Sequence, residues 1–290
     1  MDGQARITLE EIGLSLDYDK YPSIHNGGYV RPREAPIDQN KQGKDTKHHE
    51  LQTRNRKKPT QSRKARRSGA SPRSTQVFSS SLQKNYAENL SAVLEAYPDT
   101  RVWHREDGIW LLSESAILTG LDKSAMFLIA VPFTPEFPIR AWAWWTTKVS
   151  VQWIGPRHTN YPDGSICAFE PSDQTWNPGD SLVNLLDLYT LWALRHLHLE
   201  VFGRWPGRQV LHHAYERIQE AQDNELCGCN NPKGTYANCC KSSDLELNKV
   251  TLHDDFFKTR PLTPRRPPAE LFRFSRTRNQ PPSIFGAVLS

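Results

Sequence analysis

The first strongly periodic stretch of the chain predicts an amphipathic helix. Its apolar residues recur at intervals of three and four positions, which places them on one helical face: Leu82, Tyr86, Leu90, Val93, Leu94 and Tyr97. Pro98 comes next and cannot continue a helix, so we expect the helix to end there.

Short apolar runs follow this helix and are typical of β-strands. Four of them lie at 101–104, 108–112, 125–131 and 141–154. Asp107-Gly108 separates the first two runs and is a frequent hairpin turn, which favours antiparallel pairing. The pattern therefore predicts a four-stranded antiparallel meander.

Helical periodicity returns after residue 180. Asp180 or Ser181 can serve as the N-cap of a long helix that Gly203 would end. A second helix is predicted from about 210 to 225. An N-terminal helix, a meander and C-terminal helices indicate the α+β fold class. The stretch 246–290 is rich in Pro and Arg and predicts a loosely packed tail, which four aromatic residues could anchor: Phe256, Phe257, Phe272 and Phe274.

Positive charge is concentrated in one segment. From Lys41 to Arg73 there are 12 Lys+Arg and 2 Asp+Glu, a net +10, whereas the whole chain of 290 residues carries +5. The segment 41–76 has almost nothing to bury, so it is predicted to be a basic disordered linker. It is either a solvated tether or a weak nucleic-acid contact through 41–73, although no aromatic residue there could stack on bases.

The composition excludes several classes of protein. No apolar run approaches the ~18 residues that a membrane-spanning helix needs. The first residues carry no apolar segment of a secretory signal, and five cysteines in 290 residues do not make a disulfide framework. We therefore expect a cytoplasmic protein with reduced thiols and no membrane contact.

Cys167 stands apart from the other cysteines, just after the turn sequence Pro162-Asp163-Gly164. A thiol presented on a loop can ionise and attack an acyl group. Asn160 lies seven residues upstream, across the turn, where its side-chain N–H could steady the oxyanion that develops. On these residues alone, an inert cysteine that packs as a small hydrophobe is the alternative.

With their surroundings, these residues resemble the active site of ubiquitin-conjugating enzymes. That family has a His-Pro-Asn motif, then a Gly-x-Ile-Cys-Leu segment, then Trp-x-Pro before a helix. In the same order this chain has His158-Thr159-Asn160, Gly164-Ser165-Ile166-Cys167 and Trp176-Asn177-Pro178. The segment 133–138 takes the place of the family's Tyr-Pro-Phe-x-x-Pro-Pro stretch, and the resemblance covers about 82–217. Thr159 and Ala168 depart from the family's Pro and Leu, and the Asn-to-Cys gap is one residue shorter.

The resemblance implies a ubiquitin-conjugating-enzyme-like fold and a role for each matched residue. Cys167 would form a thioester with the C-terminus of a ubiquitin-like modifier and pass it to an amine. Asn160 would stabilise the oxyanion, and His158 would hold the turn. Trp176 and Pro178 would shape the segment that leads into the next helix. An activating enzyme is a further possible partner.

The helix after the site is similar to that of bacterial members of this group, in Leu191-Trp192-Ala193-Leu194 and the following Trp205-Pro206-Gly207. Those members are encoded in antiviral operons of the CBASS type, beside a cyclic-oligonucleotide synthase, and in related conjugation islands. The resemblance therefore implies a part in antiviral defence. It also makes the C-terminus of such a synthase an alternative acyl partner.

Four cysteines lie within one short segment: Cys227, Cys229, Cys239 and Cys240. Four thiolates satisfy one tetrahedral Zn²⁺ ion, and metal binding would supply the folding energy of so short a segment. Two disulfides or four idle thiols are the alternatives; a reduced compartment disfavours the first, and the clustering disfavours the second. The spacing resembles the SEC-C zinc knuckle, with Gly234 and Tyr236 kept and one residue inserted. That resemblance implies a structural zinc ion.

The expected organisation has five parts: an N-terminal segment 1–40, the linker 41–76, a ubiquitin-conjugating-like core 77–222, a zinc knuckle 223–245 and the tail 246–290. The favoured function is acyl transfer through Cys167. One alternative is a catalytically silent platform that binds a partner with the same fold and the knuckle. Another is a nucleic-acid regulator that acts through 41–73.

Overall fold

The computed structural model describes residues 23–25, 28–30, 72–115, 123–134, 137–147, 151–169, 175–258, 260 and 262–282. Strands β1 (Ser23–His25) and β2 (Gly28–Val30) pair as an antiparallel hairpin. The other residues of 1–40 and the linker up to residue 71 lie outside the described residues, as does nearly all of the predicted nucleic-acid contact at 41–73.

The predicted amphipathic helix is present as α1 (Pro72–Ala96) and begins before the expected end of the linker. Tyr86 and Val93 are buried in the core. Just after the helix, the Tyr97 hydroxyl donates to Asp187 Oδ1 at 2.6 Å. That bond joins the end of α1 to the long helix α2 (Leu182–Phe202).

The main sheet has five antiparallel strands in chain order: β3 (Arg101–His104), β4 (Gly108–Glu114), β5 (Ser124–Pro132), β6 (Arg140–Thr146) and β7 (Val151–Trp153). The antiparallel meander is confirmed, but the prediction of four strands is wrong. The apolar run at 141–154 folds back on itself, so Trp145 of β6 pairs with Gln152 of β7. The polar residues Thr146, Thr147 and Lys148 interrupt the apolar run and are the signal for this turn, which the prediction of one strand over 141–154 passes over.

Both faces of this sheet are buried. Every residue of β5 is buried, and successive side chains point to opposite faces. One face, with Leu111, Phe127 and Ile129, belongs to the core formed with α1 and α2. The other face presents a second apolar cluster: Trp110, Leu112, Met126, Leu128, Ala130, Trp142 and Trp144. Such a surface requires a cover of its own.

That cover comes from the C-terminal part of the chain. Helices α5 (Lys249–Phe257) and α6 (Ala269–Thr277) form there, and Leu271 and Phe274 of α6 pack on the tryptophan-rich face. The prediction of a loosely packed tail is therefore wrong up to residue 282. The physical reason is the apolar area of the second sheet face, which burial under α6 removes from water.

The ends of α2 are confirmed as predicted. The Ser181 hydroxyl accepts the Asn184 main-chain N–H at 3.4 Å, and Gly203 ends the helix with φ 68. The helix predicted at about 210–225 is shorter, as α3 (Ala214–Glu220) with His213 as its N-cap. It ends at Ala221, whose backbone is extended with ψ 135. Glu225, further along, is only 2 % exposed. A further short helix, α4 (Lys241–Glu246), follows the cysteine cluster.

Among the helices of the described residues, none combines the length and the apolar content that crossing a bilayer requires.

Candidate active site and metal centre

The segment 154–167 is a compact loop anchored on β6. Ile154 N–H donates to the Ala143 carbonyl at 2.9 Å, and Ile166 N–H donates to the Ala141 carbonyl at 2.7 Å. Both ends of the loop are therefore held by β6. The buried side chain of Ile166 packs into the main core and fixes the position of its neighbour, Cys167.

A tight turn closes the loop between Asn160 and Ser165. Asn160 N–H donates to the Ser165 carbonyl at 2.6 Å, and Gly164 N–H donates back to the Asn160 carbonyl at 3.0 Å. Gly164 has φ 65, and a Cβ there would lie 2.8 Å from the Trp153 ring and 2.9 Å from the Arg266 backbone. A larger residue therefore cannot occupy this turn without displacing backbone.

Cys167 is partly exposed and lines a cavity of about 340 Å³. Aromatic rings form much of the wall, with Phe169 and Trp192 among them. Arg195 and Arg208 line the same cavity. The arrangement brings a thiol, an apolar wall and two positive charges to one opening. Anionic groups that develop in such a space are favoured by the guanidinium charges.

His158 lies beside Cys167 and holds the loop through its backbone. Its carbonyl accepts the Cys167 main-chain N–H at 3.0 Å and the Trp192 indole N–H at 3.0 Å. Its backbone has φ 49, and its ring packs against the Trp205 ring with centroids 4.0 Å apart. Burial, and then the charge of Arg157, hold the pKa of His158 well below its usual value. A neutral, packed ring of this kind is suited to positioning rather than to proton transfer.

The Asn160 amide group bonds within the turn. Its Nδ2 donates to the Ile166 carbonyl at 3.0 Å and to the Ser165 hydroxyl at 3.2 Å. Its bond to Ile166 places the amide one residue from Cys167 along the chain. Of the residues that the structure describes, the cavity wall includes His158 and Cys167 but not Asn160.

Trp176 shapes the segment that leads into α2. It is buried, and its indole N–H donates to the Ser181 carbonyl at 2.9 Å. The residue therefore ties the segment after the site to the first turn of the helix that carries Trp192 and Arg195.

A larger cavity, of about 420 Å³, lies at the opposite part of the sheet between β3, β4 and α6. Its wall includes Thr100, Ser113, Glu114 and Arg278. Glu114 pairs there with Arg278 at 3.6 Å. No cysteine or histidine lines it among the described residues, so the candidate chemistry lies at the smaller cavity.

The four clustered cysteines are brought together as predicted. One sulfur from each lies within 4.8 Å of the others, and no cysteine of the chain forms a disulfide. Cys239 Sγ is 3.8 Å from both Cys229 Sγ and Cys240 Sγ. The edge of a tetrahedron with metal–sulfur bonds near 2.3 Å is also about 3.8 Å. The cluster could therefore hold a tetrahedral metal ion with little rearrangement.

Two ion pairs and an N–H donor surround the cluster. Arg217 of α3 forms two hydrogen bonds with Asp244 of α4, each 2.8 Å long, and this pair is mostly buried. Lys241 follows Cys240 directly and pairs with Asp223 at 2.6 Å. The pKa of the Cys239 thiol is lowered, chiefly by a hydrogen bond from the main-chain N–H of Lys233. Both cations are paired with carboxylates, so the Lys233 N–H is the group that favours a thiolate, whereas burial raises the pKa of the Cys227 and Cys240 thiols.

Several residues that support the site carry no signal in the sequence pattern. The Arg157 guanidinium pairs with the Glu225 carboxylate, which also accepts the Trp205 and Gln222 main-chain N–H groups. Arg157 is adjacent to His158, and Glu225 lies two residues before Cys227. That adjacency is the only sequence feature that could have drawn attention to them.

The fold described above is mixed α/β, with a five-stranded antiparallel sheet and helices on both faces. Comparisons with protein-family models, with curated proteins and with solved structures found no match to this chain.

Proposed function

We propose that the protein is a cysteine acyl carrier of the ubiquitin-conjugating type, with Cys167 as the nucleophile. The observation that carries the proposal is the partly exposed Cys167 at a cavity that two arginines also line. The order of helix, antiparallel meander, cysteine loop and long helix is also the order that the resemblance implies.

The reaction requires an acyl donor that is already activated. The Cys167 thiolate attacks the carbonyl carbon of a protein C-terminus held as an acyl adenylate or as a thioester. A C–S bond forms, and AMP or the donor thiolate leaves. An amine then attacks the new thioester, the C–N bond replaces the C–S bond, and the amine's proton passes to solvent. The donor is a ubiquitin-like modifier or the C-terminus of a cyclic-oligonucleotide synthase.

The walls of the cavity support each step of this chemistry. Arg195 and Arg208 place positive charge in the cavity where the oxyanion of the tetrahedral intermediate would develop. The bond from Cys167 N–H to His158 fixes the backbone next to the sulfur. Asn160 stabilises the loop, and its amide contributes to the oxyanion only after it exchanges one of its two bonds within the turn.

The four-cysteine cluster holds Zn²⁺ as a structural ion in this proposal. Four thiolates in tetrahedral arrangement suit zinc and close the coordination sphere, so the ion has no open position for substrate. Reduced thiols at Cys167 and at the cluster fit a reducing compartment such as the cytoplasm, where thioester chemistry is not lost to oxidation. The gene context expected from the resemblance is antiviral defence.

The test is the adduct on Cys167. The chain is purified from its native cell extract without reductant and analysed by intact-mass and peptide mass spectrometry. We expect a covalent protein adduct that thiol reductants release from wild type, an alkali-labile oxyester in Cys167→Ser, and none in Cys167→Ala. An adduct of equal yield in Cys167→Ala excludes the proposal and leaves the binding platform.

A charge variant tests the cavity with a matched control. Arg208→Gln removes a positive charge from the cavity wall and is expected to slow adduct formation about tenfold, because an electrostatic donor to the oxyanion is lost. Arg204→Gln lies outside the wall and is expected to leave the rate unchanged. Equal rates in the two variants contradict a role for the cavity charge.

A further inference from the structure

The buried side chain of Gln209 contacts both the Cys167 loop and the segment that leads into the cysteine cluster. It is 7 % exposed and lies in the segment between α2 and α3. Its Oε1 accepts from Arg157 Nη2 at 2.6 Å and lies 3.3 Å from His158 Nε2. Its Nε2 donates to Glu225 Oε2 at 3.1 Å and to the Leu226 carbonyl at 2.9 Å.

The orientation of this amide is fixed by its neighbours. An arginine only donates and an ionised carboxylate only accepts, so Oε1 must face Arg157 and Nε2 must face Glu225. His158 Nε2 then meets an acceptor and must carry the proton. Gln209 therefore also determines the tautomer of His158, whose carbonyl holds the main-chain N–H of Cys167 at 3.0 Å.

Through its Nε2 atom, Gln209 bonds to Leu226, the residue just before the first cysteine of the cluster. Leu226 precedes the ligand Cys227, whose N–H donates to the Gly234 carbonyl at 3.0 Å. Gly228 accepts the Leu211 N–H at 2.7 Å, and a Cβ at 228 would lie 2.6 Å from Leu211. The ligand segment thus packs directly against the chain that carries Gln209.

We propose that Gln209 is the positioning residue through which the metal-bound cysteine cluster holds the Cys167 loop. The bound metal fixes the segment around Cys227, the Leu226 carbonyl and Glu225 fix the Gln209 amide, and that amide fixes His158. Tyr236 is the one large apolar side chain that the segment 225–236 buries, so we expect the segment to lose order when the metal is removed. The proposal builds on the role of Cys167 and on metal binding, but it concerns the loop's geometry and needs no thioester.

The first readout is the tautomer of the His158 ring, which ¹⁵N NMR of the full-length chain measures. With zinc bound at neutral pH, we expect a single neutral tautomer protonated at Nε2. Removing zinc with a chelator, or replacing Gln209 with Met, is expected to give a mixture of tautomers. Gln219→Met changes an exposed glutamine of α3 and is expected to keep the wild-type spectrum. A general loss of stability does not shift a tautomer within the folded state.

The second readout is the rate at which iodoacetamide alkylates Cys167, measured by peptide mass spectrometry. Chelation is expected to change this rate at least threefold in wild type. In Gln209→Met the zinc-loaded rate is expected to lie near that of the metal-free wild type. The proposal is overturned if chelation of wild type changes neither the His158 tautomer nor the alkylation rate of Cys167. If Gln209→Met does not fold, the chelation experiment on wild type still tests the proposal. If chelation changes the His158 tautomer and the Cys167 alkylation rate but no acyl transfer is found, only the proposed function is contradicted.

Discussion

The Arg157 guanidinium and the Glu225 carboxylate form a buried ion pair that joins the Cys167 loop to the cysteine cluster. Arg157 Nη1 donates to Glu225 Oε1 at 2.8 Å, and the Glu225 side chain has no exposed surface. Three further donors reach the same carboxylate, from Trp205, Gln209 and Gln222. Such a saturated carboxylate stabilises the fold only while its positive partner is present.

Replacing Glu225 with Gln is therefore expected to destabilise the protein by about 3–5 kcal/mol, because the Arg157 charge stays buried without a counter-charge. Urea unfolding, followed by tryptophan fluorescence, measures the change. Glu246→Gln, an exposed residue of α4, serves as control and should stay within about 0.5 kcal/mol of wild type. A similar small effect for both variants would contradict a structural role for the pair.

The cysteine cluster should bind one metal ion per chain, which we expect to be zinc. Cys227→Ser removes a buried ligand and should lose most of the metal during dialysis, whereas Cys167→Ser should retain it. Atomic emission measures the content. Cobalt substitution of wild type should give the thiolate charge-transfer and visible bands of a tetrahedral site. Equal metal content in both serine variants would show that the cluster is not the site.

The stability of the protein should fall as the solution is acidified below pH 6.5. Burial lowers the pKa of His196 to about 3, so the folded state keeps this ring neutral where the unfolded chain takes up a proton. The contribution of the neutral His196 ring to the free energy of unfolding is fully present at neutral pH. It is lost at about 1.4 kcal/mol per pH unit between 6.5 and 3.

Unfolding experiments from pH 7 to pH 4.5 test this assignment by comparing how steeply the free energy of unfolding depends on pH in wild type and in each variant. His196→Gln cannot titrate and should show the shallower dependence, while His253→Gln, on the exposed side of α5, should keep the wild-type slope. His158 contributes in the same direction, because its pKa is also lowered by burial. Parallel curves for wild type and His196→Gln would contradict the assignment.

Helix α6 should be essential for covering the second sheet face. Phe274 is buried and meets the Trp103 ring edge-on, with centroids 5.6 Å apart. Phe274→Ala is expected to cost about 3–5 kcal/mol, because a cavity opens against the sheet. Thermal unfolding measures the loss, and a red shift of tryptophan emission would report the exposed indoles. Arg273→Ala, next to it but exposed, is the matched control and should have little effect.

The sequence predicts well those features that depend on neighbours along the chain. The apolar spacing from Leu82 to Tyr97 gives α1, and Ser181 and Gly203 give both ends of α2. The short distance between the cysteine pairs gives the metal-compatible cluster. The turn sequence Pro162-Asp163-Gly164 likewise shows that Cys167 follows a turn. In each case the responsible interactions lie within a few residues, so the local pattern contains the answer.

Other features depend on contacts between distant segments, which periodicity does not encode. The packing of α6 on the tryptophans follows from burying a second sheet face. Likewise, Gln209 meets His158 across 51 positions of the chain. The amino-acid pattern determines which elements form and which faces are apolar. Only the tertiary structure decides which buried polar groups find each other, because each such pairing depends on how all the elements pack.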